Sequence, residues 1–170
     1  IKVDVFPVDF CGVSRQVDFR YFKARGHYDG DLLDFFCTMT WLQLLDFRLV
    51  EYLPDATPVL HVNQLAAAHL LMDAIEQSGT RPLWDEFNNI LQAFIGWSDN
   101  ITLNGLRQFA KDMNVQSAAD YFKYDPAVLL AQLVSEDYGF QQIRGQVQYR
   151  YENVPDVPAH IVFLLMGQRY

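Results

Sequence analysis

The sequence predicts a mainly α fold, five or six packed helices with short β-strands at the N- and C-terminal ends. Three observations lead there. Apolar residues recur at three- and four-residue spacing through residues 31–138, the period of helices packed on one side. Cap and proline punctuation divides that stretch at Thr57-Pro58, Thr102 and Pro126, residues suited to helix starts. Outside it the period drops to two, as in half-buried strands.

Residues 1–30 read as extended or strand-like cover, with alternation at Val3 and Val5 and again at Val17, Phe19 and Tyr21, and end in an Arg-Gly-His-Tyr loop. Asp31 stands before Leu32, Leu33, Phe35, Phe36, Met39, Trp41, Leu42 and Leu45. Its carboxylate offers an N-cap to a helix whose apolar residues cover most of the circumference, so that helix is expected in the middle of the packing. Thr57-Pro58 is expected to open a second helix running to about Gln77. Ser78, Gly79 and Pro82 interrupt, and Trp84, Phe87, Ile90, Leu91 and Phe94 resume the helical spacing up to Gly96, the aromatics Trp84, Phe87 and Phe94 most simply as core. Thr102 caps a fourth helix through Met113, a turn or two is expected over residues 117–124, and Pro126 opens a last helix to about Ser135. After Gly139, residues 146–151 alternate strictly and Ile161-Val162-Phe163-Leu164-Leu165 is a continuous apolar run; both read as strands, joined by a segment stiffened by Pro155 and Pro158. The 170 residues are thus one domain or a fragment of one: cover over 1–30, helical core over 31–138, terminal strands over 139–170.

Composition narrows the function classes. A chain of 170 residues, 51% hydrophobic, can bury roughly 70% of its unfolded surface as one compact domain. Lys plus Arg number 13 and Asp plus Glu 21, a net charge of −8, with no cationic run. This disfavours nucleic acid and anionic membrane surfaces, both of which need clustered cations. The apolar run from Ile161 to Met166 is far short of the roughly 20 residues of a spanning helix. The chain opens at Ile1 with neither a charged start nor an apolar signal core, and is read as processed or as a piece of something longer. Cys11 and Cys37 are too few for a disulfide framework, and either a single bridge or two free thiols fits.

The chemistry-bearing residues concentrate in Phe22-Lys23-Ala24-Arg25-Gly26-His27-Tyr28-Asp29-Gly30. Arg25, His27 and Tyr28 could hold an anionic or carbohydrate ligand, or form a structural corner in which Arg25 pairs with a nearby carboxylate and Tyr28 plugs the core. His61 and His69 lie eight positions apart, about 12 Å along a helix, too far to share one metal directly. Ser98, Asp99 and Asn100 could offer oxygens to calcium, but the simpler reading is a turn before the Thr102 cap. Asp85-Glu86 and Glu136-Asp137 are adjacent carboxylates of the kind that face water. No catalytic residue, metal or cofactor is assigned, and no cofactor fingerprint occurs.

Four ordered motifs carry a family resemblance: Phe22 to Tyr28, Phe35-Phe36-Cys37-Thr38-Met39-Thr40-Trp41-Leu42, Phe94-Ile95-Gly96-Trp97-Ser98-Asp99-Asn100-Ile101-Thr102, and Met166-Gly167-Gln168-Arg169-Tyr170. From about Val17 to its end the chain resembles the domain-of-unknown-function family 3160. Ala24, Cys37, Thr38 and Asn100 depart from that family's usual residues. The resemblance implies a large bacterial or archaeal chain, exported to the periplasm or cell surface or lipid-anchored through another part, with no established activity. It marks Arg25, His27, Tyr28, Asp99, Gln168 and Arg169 as candidate ligand-binding or structural anchors. The reading is a non-enzymatic structural or interaction module of the bacterial cell envelope, its partners the remainder of its own chain or other envelope proteins. The alternatives are an extracytoplasmic hydrolase or carbohydrate-binding fragment, in which Arg25, His27, Tyr28, Asp99 and Arg169 converge, and an accessory subunit of a multi-protein envelope assembly.

Overall fold

A computed structural model describes residues 4–24, 26, 30–135, 138–139 and 160–167. The chain opens with an antiparallel hairpin of β1 (Val5–Phe10) and β2 (Val13–Asp18), in register from Val5 opposite Asp18 to Phe10 opposite Val13. Its two-residue turn, Cys11 and Gly12, has positive φ at both positions (48° and 80°), the geometry whose twist matches that of the strands it joins. Asp18 then accepts from the Arg20 amide at 3.0 Å and starts a 3-10 turn over Phe19–Phe22. Phe19 and Tyr21 therefore leave the strand that their alternation suggested, because a side-chain cap competes with continued pairing.

A second 3-10 turn, Gly30–Leu32, leads into α1 (Leu33–Leu44), so Asp31 lies inside that turn and Leu32 holds the cap position with no side-chain cap bond. The central position expected for this helix is not what the fold adopts. Only Leu44 of α1 is buried, while Leu33, Phe35 and Trp41 are exposed, as is Leu32 just before them. The helix packs against the Phe19–Phe22 turn and the Gly30–Leu32 turn that leads into it.

Next come β3 (Phe47–Tyr52) and β4 (Pro58–Leu60), a strand where Thr57-Pro58 predicts a helix start. Pro58 sits opposite Tyr52 at the end of an edge strand, a place where the missing N–H leaves no central ladder unpaired. The helix α2 (Val62–Gln77) begins only after His61. It is followed by α3 (Arg81–Phe94), α4 (Leu103–Asp112), a 3-10 turn over Ala118–Lys123, and α5 (Pro126–Ser135). These agree with the helical spacing and punctuation; Thr102 does cap α4, its Oγ1 accepting from the Gly105 amide at 3.4 Å. Phe94, expected in the core, is instead 85% exposed.

The last described strand, β5 (Ile161–Phe163), pairs antiparallel with β3, giving a three-stranded sheet ordered β4-β3-β5 with an irregularity between Arg48 and Val50. The strand expected over residues 146–151 lies outside the described residues. The main core forms where this sheet meets α2, α4, α5 and the Ala118–Lys123 turn, around Leu49, Leu65, Leu106, Phe109, Tyr121, Leu129 and Phe163. A smaller cluster of Val17, Leu44 and Leu45, with Val8, Phe10, Phe19 and Phe22 against it, joins the hairpin to α1. Mainly α holds as the coarse class, with β3 and β4 set inside the helical stretch.

Candidate functional site

The loop between α3 and α4 brings two of the four motifs together. Asp99 and Asn100 are each only 2% exposed. The Asn100 amide donates to the Ile101 carbonyl (2.6 Å) and to the Leu164 carbonyl (3.0 Å), and its Oδ1 accepts from Ser98 Oγ (2.8 Å). Two carbonyls and one hydroxyl settle which end of the amide is which. Gly167 closes over it, since a Cβ at that position would overlap Asn100 Oδ1. Gly139, at φ 127°, approaches from another segment, and a Cβ there would stand 2.8 Å from the Asn100 carbonyl oxygen. Backbone bonding continues the junction, with the Ile101 amide donating to Val162 O at 2.9 Å and the Trp84 indole to Leu165 O at 3.1 Å. This is a filled joint between the 98–101 loop and the 164–167 segment, and Asp99 is placed in it.

The other two motifs meet each other. The Phe22 ring stacks on Phe19 at 5.5 Å between centroids and lies 6.1 Å from Trp41, and Cys37 Sγ is 3.8 Å from the Phe22 carbonyl oxygen. Cys37 is half-buried, Cys11 is exposed, and both are free thiols. Arg25, His27, Tyr28, Gln168 and Arg169 lie outside the described residues, so of the six sequence-derived anchors the structure places Asp99.

A polar chain between the two hydrophobic clusters was not read from the sequence. Arg15 bonds the carboxylate and carbonyl of Asp46 through Nη1 and Gln64 Oε1 through Nη2 (3.2 Å). Gln64, fully buried on α2, also accepts from the Arg48 amide (3.2 Å) and donates to the carbonyls of Phe10 and Cys11. Arg48 links Asp46 (3.2 Å) to Glu51 (3.0 Å), and Glu51 meets His61 Nε2 at 3.0 Å. Gln64 stands four residues before Ala68 and eight before Met72, on the buried face of α2. That spacing was the one available signal, and an isolated glutamine on an apolar stripe is a weak one.

The electrostatics follow from burial and from these contacts. Burial pulls Arg15 down to about 9, helped by Arg48, and at neutral pH it remains charged. Burial alone would raise Glu51, but the hydrogen bond from His61 and the charge of Arg48 outweigh it and hold the carboxyl below its ordinary range. His160, at the entry to β5, accepts from the Tyr52 amide through Nδ1 at 3.0 Å. Burial lowers it to about 4, with Arg48, Arg15 and His61 adding to the effect and Glu51 opposing it. His69 bonds the Tyr121 hydroxyl at 3.0 Å and stands 3.6 Å from Asp73. Among the described residues no three His, Cys, Asp or Glu side chains converge as metal ligands.

The surface offers a different kind of candidate. Leu33, Phe35 and Trp41 on α1 and Leu83, Ile90 and Phe94 on α3 are exposed, followed by Ile95 and Trp97. A shallow depression of about 670 Å³ runs along α3, lined by Pro82, Asp85, Glu86, Asn89, Ile90, Ala93 and Phe94. Among the described residues no helix is long and apolar enough to cross a membrane. A family model described as "Protein of unknown function (DUF3160)" matches residues 3–170. No curated protein and no solved structure matches the chain.

Proposed function

The chain belongs to the DUF3160 family, and on that premise we propose that it is a non-enzymatic structural or interaction module of the bacterial cell envelope. The observation that carries the reading is α1. A helix apolar all round its circumference ordinarily lies in the middle of a protein, yet α1 buries only Leu44 and presents Leu33, Phe35 and Trp41 outward. Large apolar side chains left exposed together on one helix mark a place where another polypeptide packs. Of the motif residues described, Phe22, Cys37, Asn100 and Gly167 are engaged in packing and joints, as architecture requires, while Phe35, Trp41, Phe94 and Trp97 face outward. The envelope setting comes from the resemblance to exported and lipid-anchored chains.

The test is photo-crosslinking from position 35 in the full-length protein in its native cell, followed by mass spectrometry of the adduct and fractionation. The reading expects one discrete adduct, to an envelope protein or to another segment of the same polypeptide, recovered with the envelope. Recovery from the cytosol without an adduct overturns it.

A hydrolase reading on residues other than Arg25, His27, Tyr28, Asp99 and Arg169 has one observation, the half-buried pair of His61 and Glu51, whose carboxylate orients the imidazole as a general base requires. It expects turnover of an ester or glycoside panel that His61→Ala abolishes. No turnover across the panel removes it.

A further inference from the structure

We propose that the outer face of α3 seats a partner's amphipathic helix whose apolar stripe is flanked by lysines or arginines, an inference that rests on the interaction-module reading and names the partner's chemistry. The apolar residues have the right spacing. Leu83 and Ile90 are seven residues apart and Phe94 lies four after Ile90, the spacing that keeps a seam facing a second helix. They are 67%, 49% and 85% exposed. The helix is 14 residues long, about 21 Å, so it matches a partner of about four turns. The depression beside Ile90 and Phe94 gives one apolar side chain of such a partner a place to enter.

Charge decides between possible occupants. Asp85 and Glu86 line the depression, and Glu86 has no counter-ion among the described residues. The one cation of α3, Arg81, is turned inward: its side chain is 12% exposed, bonded to Glu76 (2.8 Å) and Asp85 (2.9 Å), and lies 5.3 Å from the Trp84 ring centre. A second copy seated here would bring carboxylates against carboxylates in a chain already at −8. A helix with basic flanks meets them with opposite charge, which favours both its approach and its register.

The probes are two capped synthetic helices of identical leucine spacing, one flanked by lysines and one by glutamates, titrated into the protein with anisotropy as the readout. The lysine peptide is expected to bind and the glutamate peptide not to. Phe94→Ser and Glu86→Lys should each weaken the lysine peptide about tenfold or more, the scale of a central interface side chain. Asp9→Lys, an exposed change of the same charge on β1, should leave binding within about twofold, excluding attraction to net charge alone. Thermal unfolding checks that the variants remain folded. No binding of the lysine peptide, equal binding of both peptides, or indifference to Phe94→Ser and Glu86→Lys overturns the proposal. A concentration-dependent dimer abolished by Phe94→Ser overturns it in favour of a second copy. Failure here with a persistent adduct from position 35 removes the α3 seat and leaves the module reading standing.

Discussion

Asn100 sits where both ends of an amide are needed, donating to two carbonyls and accepting from one hydroxyl within a joint that admits no Cβ at Gly167. Gly167→Ala should therefore destabilise the protein by about 1–3 kcal/mol, an overpacked buried site. Asn100→Ala should cost about 1–3 kcal/mol by leaving buried carbonyls unpaired. Because removing the Asn100 amide makes room for the new methyl, the double variant should be less destabilised than the sum, a coupling that denaturant unfolding of the four proteins measures directly. His160 supplies a pH dependence whose sign follows from its lowered folded value. An unfolded histidine takes up its proton near its ordinary value of 6.5, whereas His160 in the fold resists until about 4. Between those values the unfolded state binds more protons, so stability is full above 6.5 and is lost as pH falls toward 4. The loss is on the order of 3 kcal/mol at most. His160→Asn keeps an acceptor for the Tyr52 amide without titrating, and chemical unfolding at a series of pH values should show its slope flattened in that window.

At the level of elements, α3, α4 and α5 were legible because their signals are local. A proline or threonine at the first turn, an apolar stripe and a break are all contained within about 15 residues. α1 and β4 show where local signals stop. Thr57-Pro58 suits a helix start and also the end of an edge strand, and pairing with β3 chose the strand. β3 itself depends on β5, whose partner residues are more than a hundred positions away, and no window of the sequence contains both. The outward face of α1 makes a contrast in stability. Leu44→Ala should cost about 2–4 kcal/mol because its side chain is in the hairpin cluster. Phe35→Ser, on the same helix, should stay within about 0.5 kcal/mol in the isolated protein, as a surface change does. Urea midpoints of the two variants compare them, and equal losses would mean that α1 is packed on both sides.

For the whole molecule the decisive feature is the polar link between two apolar clusters. Gln64 holds Arg15, the Arg48 amide and the hairpin carbonyls at once. Gln64→Leu would leave several of these buried groups without a partner and should cost about 3–5 kcal/mol. If the hairpin is tied to the sheet mainly through this residue, hydrogen exchange should accelerate in β1 and β2 while α2 and α4 keep their protection. Uniform acceleration would mean that the two clusters unfold as one. The sequence by itself determined the mainly α class, the bounds of three helices, the family and the negative charge, because each is local or additive along the chain. Only the tertiary structure decided that α1 faces outward, that a strand replaces the expected helix start, that the four motifs meet in two separate pairs, and that Arg15 and Gln64 join the clusters. Those outcomes depend on which distant segments bury one another, and periodicity shows that a face is apolar without showing what covers it.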